Sequence, residues 1–99
     1  MTIQKTLEGS TLTVAPEGRL DTITSPQFES ELRADMNTVT DLVLDLANLT
    51  YISSAGLRIF LGSQQKMTGA GGKMVLSGVK PIVRDIFDIV GFSDAFTFI

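Results

Sequence analysis

The residues of this chain best placed to do chemistry are two adjacent hydroxyls, Ser53 and Ser54. They lie in a short polar joint, Tyr51-Ile52-Ser53-Ser54-Ala55-Gly56, within the stretch Asp45–Leu61, D-L-A-N-L-T-Y-I-S-S-A-G-L-R-I-F-L. An apolar run precedes the joint and an apolar run of helical character follows it. A strand, a loop and a helix N-terminus fit that pattern, with both hydroxyls at the helix start. Backbone N–H groups there have no intrahelical partner, and the helix dipole is positive. A hydroxyl in that place can cap the helix, bind an anion, or carry a phosphate. Two carboxylates, Asp21 and Asp45, are the other candidates, but alone they are not a catalytic pair. The plain reading of Asp21 is a solvated loop carboxylate.

The composition removes the usual routes to catalysis. The chain has no histidine and no cysteine. A Ser-His-Asp triad, an imidazole or thiolate metal site and a disulfide are therefore excluded. The 8 basic residues are dispersed and the net charge is −3, so a broad cationic face for nucleic acid is not expected. Gly69-Ala70-Gly71-Gly72 lacks the Lys-Ser/Thr pair and the strand-to-helix setting of a phosphate-binding loop. No cofactor, no metal and no enzymatic activity are expected. At 99 residues, 43% apolar and 19% charged, the chain reads as one globular domain spanning 1–99. Its apolar runs break well short of the ~20 residues that span a bilayer, and Met1 leads straight into an alternating strand. A cytoplasmic protein without membrane insertion is the expectation.

The elements that position the hydroxyls follow from periodicity. Ile3, Lys5 and Leu7 alternate with Gln4, Thr6 and Glu8, Gly9-Ser10 turns the chain, and Thr11–Ala15 alternates again, giving a hairpin. Pro16 should end regular pairing or sit at a bulge, and Glu17–Asp21 resumes the extended chain. Ser25-Pro26 predicts a helix start with Ser25 as the cap; Phe28, Leu32 and Met36 then follow at spacing four. Leu42–Leu46 reads as a strand buried on much of both faces. A second helix runs from about Ser54 to Met67, with Leu57, Phe60 and Leu61 inward. Gly56 serves close packing on the sheet, open access to the neighbouring hydroxyl, or both. Lys73–Ser77 is a further strand, and Pro81 opens a third helix that ends at Gly91 with a Schellman contact between Phe87 and Phe92. Phe96, Phe98 and Ile99 suggest a short last strand. The fold class is α/β: a mixed sheet of four to five strands, an N-terminal antiparallel hairpin followed by parallel strands, with three main helices. Right-handed crossovers place the first two helices on one face.

With the joint D-L-A-N-L-T-Y-I-S-S-A-G-L, the earlier G-R-L-D-T-I-T-S-P-Q-F and the later P-I-V-R-D-I-F-D-I-V-G-F, the chain resembles a bacterial anti-sigma factor antagonist of the STAS domain family. That resemblance implies a switch. The unmodified antagonist binds an anti-sigma factor serine kinase and so frees the sigma factor. The kinase phosphorylates a serine at the start of the second helix, and a metal-dependent serine phosphatase removes the phosphate. The match puts the acceptor on Ser54, with Ser53 as runner-up, and puts Asp21, Ser53, Ser54, Gly56 and Arg58 on the partner-binding surface. Three positions depart from the family pattern: Ser53 replaces an aspartate, Ala55 a hydroxyl residue, and Arg58 a common glycine. The alternatives are an unphosphorylated STAS accessory module of a transporter or signalling complex, and a small nucleotide-binding protein.

Overall fold

The alternating N-terminal residues build an antiparallel pair in the computed structural model, which describes residues 1–99. β1 (Thr2–Glu8) pairs with β2 (Thr11–Leu20) from Thr2↔Glu17 to Glu8↔Thr11. Pro16 neither ends the pairing nor sits at a bulge: it pairs with Ile3, and β2 runs on to Leu20 as one extended strand. The missing N–H falls between two ladders and is therefore tolerated. β3 (Asp41–Asp45) runs parallel to β2 only as far as Val14↔Leu44, and β4 (Leu49–Ile52) takes over from Gly18↔Leu49. A register shift between Gly18 and Arg19 marks the second ladder. β5 (Lys73–Ser77) lies parallel on the other side of β3, and a single bridge from Leu76 to Phe98 is all that forms of the expected last strand.

β4 was not foreseen. Tyr51 and Ile52, assigned to the loop, are strand residues, so the polar joint begins at Ser53. β3 also differs from expectation: Leu42 and Leu44 are buried while Asp41, Val43 and Asp45 are only half-buried. The reason is that the helices all lie on one face of the sheet. α1 (Ser25–Met36), α2 (Ser54–Gly69) and α3 (Pro81–Val90) contribute Phe28, Phe60 and Phe87 to a chain of tilted ring contacts, 5.8 Å and 6.3 Å between centroids. One cluster of 19 buried apolar residues joins them to Leu12, Val14, Leu20, Leu42, Leu44 and Leu76 of the sheet. Each such large side chain contributes about 1.5–3 kcal/mol on burial. α3 ends as predicted. Gly91 takes the left-handed conformation at φ 79°, and the N–H of Phe92 donates to the Phe87 carbonyl at 2.8 Å.

Candidate functional site

The site is assembled where β2 and β4 end side by side. Leu20 pairs with Ile52, and the next N–H, that of Ser53, donates to the Leu20 carbonyl at 2.8 Å. This bond ties the start of α2 to the loop that follows β2. Ser53 keeps an extended backbone, φ −95° and ψ 174°, and is the N-cap: its Oγ accepts from the Gly56 N–H at 3.5 Å. Its carbonyl accepts the helical bond from Leu57 at 3.0 Å. Ser54 is the first residue inside α2, exposed, with no part in the cap.

Gly56 is buried, and its lack of a side chain is a packing requirement. A Cβ there would stand 2.9 Å from Ile52 Cγ1 and from Leu20 Cγ and Cδ2. All three atoms belong to fully buried side chains at the strand ends, so α2 can descend this far onto the sheet only with glycine in that position. Of the two roles weighed for Gly56, close packing is the one this geometry carries.

Asp21 is more than a solvated carboxylate. Its Oδ1 accepts from the backbone N–H groups of Ile23 at 3.0 Å and Thr24 at 3.1 Å, closing an Asx turn. The Thr24 hydroxyl accepts from the Asp21 N–H and donates to the Arg19 carbonyl. The Thr24 N–H is the main reason the Asp21 carboxyl lies below its ordinary value. Partial burial opposes the shift, while the Ile23 N–H, the Thr24 hydroxyl and the Arg19 guanidinium add to it. This turn leads the chain into α1 in place of the cap assigned to Ser25. Thr24 holds the N-cap position, its hydroxyl bonded back to the turn and not to the helix N–H groups, and Ser25 is buried with its Oγ unpartnered.

Asp21, Ser53, Ser54 and Gly56 thus lie at one end of the sheet. Arg58 lies one turn further along α2 and lines a groove against α1. Two residues went unnoticed in the sequence. Arg19 lies 4.2 Å over the Tyr51 ring and 3.9 Å from Asp21 Oδ2, linking β4 to the turn that follows β2. Nothing in the sequence signals that pair, because it depends on Arg19 and Tyr51 facing each other across β2 and β4. The site holds no group of three or more Asp or Glu side chains arranged for a metal ion.

An exposed hydroxyl at a helix start, an Asx turn and a glycine packed against the sheet thus lie at one end of the sheet. The profile of the STAS domain matches residues 2–99. This chain belongs to the STAS domain family. BtrV of Bordetella bronchiseptica, which bears the name of an anti-sigma factor antagonist, is 40% identical over 81 residues, 81% of this chain and 70% of that protein. The anti-sigma-B factor antagonist of Staphylococcus epidermidis is 32% identical over 78 residues, 78% of this chain and 72% of that protein. Among solved structures, the anti-sigma factor antagonist SpoIIAA in its unphosphorylated form superposes with a TM-score of 0.83 at 20% identity, covering 99% of this chain and 88% of that one. The phosphorylated form of Bacillus SpoIIAA gives 0.76 at 19% identity, covering 99% and 91%. At that identity the likeness is one of fold: these STAS domains share the sheet and the helix arrangement. No helix of this STAS domain is long and apolar enough to cross a membrane.

Proposed function

We propose that this STAS domain is an anti-sigma factor antagonist that works by partner switching. Unmodified, it binds an anti-sigma factor serine kinase in the cytoplasm and frees the sigma factor held there. The kinase ends the contact by moving the γ-phosphoryl group of its ATP to Ser54. The Ser54 Oγ–phosphorus bond forms, ADP leaves, and the hydroxyl proton passes to a base on the kinase. A metal-dependent serine phosphatase restores the hydroxyl. The domain itself is a binding module, and the chemistry belongs to its partners.

The observation that carries this reading is the division of labour between the two hydroxyls. Ser53 is committed to the cap, while Ser54 is exposed, uncommitted and seated on rigid backbone beside Asp21. A phosphate on Ser54 adds about −1.5 to −2 charges near the positive end of α2 without displacing a buried group. The fold survives and the partner meets a new charge. The names of the relatives and the phosphorylated form known for SpoIIAA support the same reading.

One observation favours a second reading, a STAS accessory module without phosphorylation: Ser53 stands where the antagonists' pattern has aspartate. The two are separated by site-resolved mass spectrometry after incubation with the cognate serine kinase and ATP, alongside binding of Ser54→Ala and Ser54→Asp. Phosphate on Ser54, with binding kept by the alanine variant and weakened in the aspartate variant, is expected. Phosphate on Ser53 or on neither serine, or equal binding of the two variants, refutes the switch.

A further inference from the structure

Between α1 and α2, beginning one turn from Ser54, runs a groove of about 250 Å³. Half-buried Ile59 is its main apolar surface, above the buried Leu32 and Met36, and Gly62 leaves the α2 wall open, since a Cβ there meets nothing within 4 Å. Its rim is cationic. Arg33, Arg58 and Lys66 are three of the 8 basic residues in a chain whose net charge is −3. The one carboxylate in the groove, Glu29, is already paired with Arg33 at 3.1 Å. Arg58 and Lys66 take part in none of the ion pairs of the protein. They are eight residues apart on one helix, about 12 Å along its axis. Carboxylates seven or eight residues apart on a second helix match that spacing, and an apolar floor between helices is the usual seat for an amphipathic helix.

Arg58 is also four residues C-terminal to Ser54. An acidic group N-terminal to a basic one at that spacing is the favourable orientation on a helix, and guanidinium binds phosphate through paired hydrogen bonds. A phosphate on Ser54 therefore competes for the cation at the mouth of the groove. We propose that the α1–α2 groove seats an acidic amphipathic helix of the protein partner, and that Arg58 is the residue through which phosphate on Ser54 weakens that contact. The proposal rests on the reading of Ser54 as the acceptor. It adds a second contact to the interface and a physical link between the two.

The test uses the full chain and the purified serine kinase that binds it. Lys66→Glu and the milder Lys66→Gln are titrated at low and high salt, with Lys73→Glu on β5 as the control outside the groove. Lys66→Glu is expected to bind roughly three- to tenfold more weakly at low salt, Lys66→Gln about half as much on a logarithmic scale, and both losses to shrink in high salt. Lys73→Glu should stay within about twofold of the wild type. Normal binding by both Lys66 variants, with Ser54→Asp weakened, overturns the groove and leaves the switch standing. If Ser54→Asp binds as the wild type does, the switch falls, and the link through Arg58 falls with it. A measurement without partner examines the link directly. Phosphoserine is incorporated at position 54 during translation and its second ionisation is followed by phosphorus NMR. Arg58→Gln should reduce that ionisation constant roughly twofold. Identical titrations with and without Arg58 overturn the link.

Discussion

Replacing Gly56 by alanine sets two effects of known sign against each other on one residue. Alanine is favoured over glycine in a helix interior by about 1 kcal/mol, and by less at Gly56, which is the third residue of α2. Against that gain stands a methyl group 2.9 Å from Ile52 Cγ1, Leu20 Cγ and Leu20 Cδ2. Leu20 and Ile52 are fully buried and cannot swing aside, so the helix start must lift or the leucine must leave its rotamer. Overpacking of this kind costs about 1–3 kcal/mol, which leaves Gly56→Ala about 1 kcal/mol less stable than the wild type. Gly62→Ala is the matched control: same helix, open surroundings, no opposing contact, and therefore a gain of up to ~1 kcal/mol. In a domain of this size each kcal/mol moves Tm by roughly 4–8 °C, so calorimetry or urea unfolding separates the two variants clearly. Leu20→Ala removes two of the three crowding atoms. The double variant Leu20→Ala/Gly56→Ala should consequently lose less than the two single changes added together. If Gly56→Ala unfolds at or above the wild-type temperature, the claim that glycine sets the depth of α2 on the sheet is wrong.

Three further outcomes follow from the same geometry. Ser53→Ala should lower stability by about 0.5–1 kcal/mol through loss of the cap, while Ser54→Ala leaves it unchanged; denaturant midpoints of the two variants check this. Ser25→Ala should be neutral or up to ~1 kcal/mol stabilising, because it removes a buried hydroxyl that has no partner; a loss of more than that in urea unfolding would show a bond the hydroxyl does make. Asp21 has a lowered carboxyl pKa in the folded state, so its charge stabilises the fold above the ordinary value of 3.8, and that contribution is lost as pH falls through the folded value. Wild type should thus exceed Asp21→Asn in stability near neutral pH, with the gap closing below pH 3.8; a gap that is constant with pH refutes the assignment.

What could be read from the sequence was whatever depends on neighbours along the chain. Helical spacing in Ile82, Val83, Ile86, Phe87 and Val90 gave α3, and Gly91 with Phe92 gave its ending. A hydroxyl pair, then a glycine, then an apolar helical run gave the start of α2 at about Ser54, with a hydroxyl available to cap it. What escaped depends on the third dimension. β4 is four residues long and joins the sheet only because β2 extends past β3, a pairing across about thirty residues that no local pattern marks. Ser25 carries the local signature of a cap, but the Asp21 turn upstream fixes the entry to α1 and leaves that hydroxyl in the core. β3 looked buried on both faces because its leucines, valine and flanking apolar residues are contiguous; the placement of every helix on one face decided otherwise. The α1–α2 groove was invisible for the same reason, since its cations come from two helices.

The anchoring of Ser53 to Leu20 bears on timing. The hydroxyl beside it stands on backbone held by two strand ends and a packed glycine, so adding or removing a phosphate requires no segment to fold or unfold. Under the proposed function the domain then contributes no slow step of its own. Response time is set by enzyme turnover and by how quickly the complex dissociates, and the lifetime of the modified state is as long as the phosphatase allows. Under that reading the domain is a memory element whose retention is governed from outside.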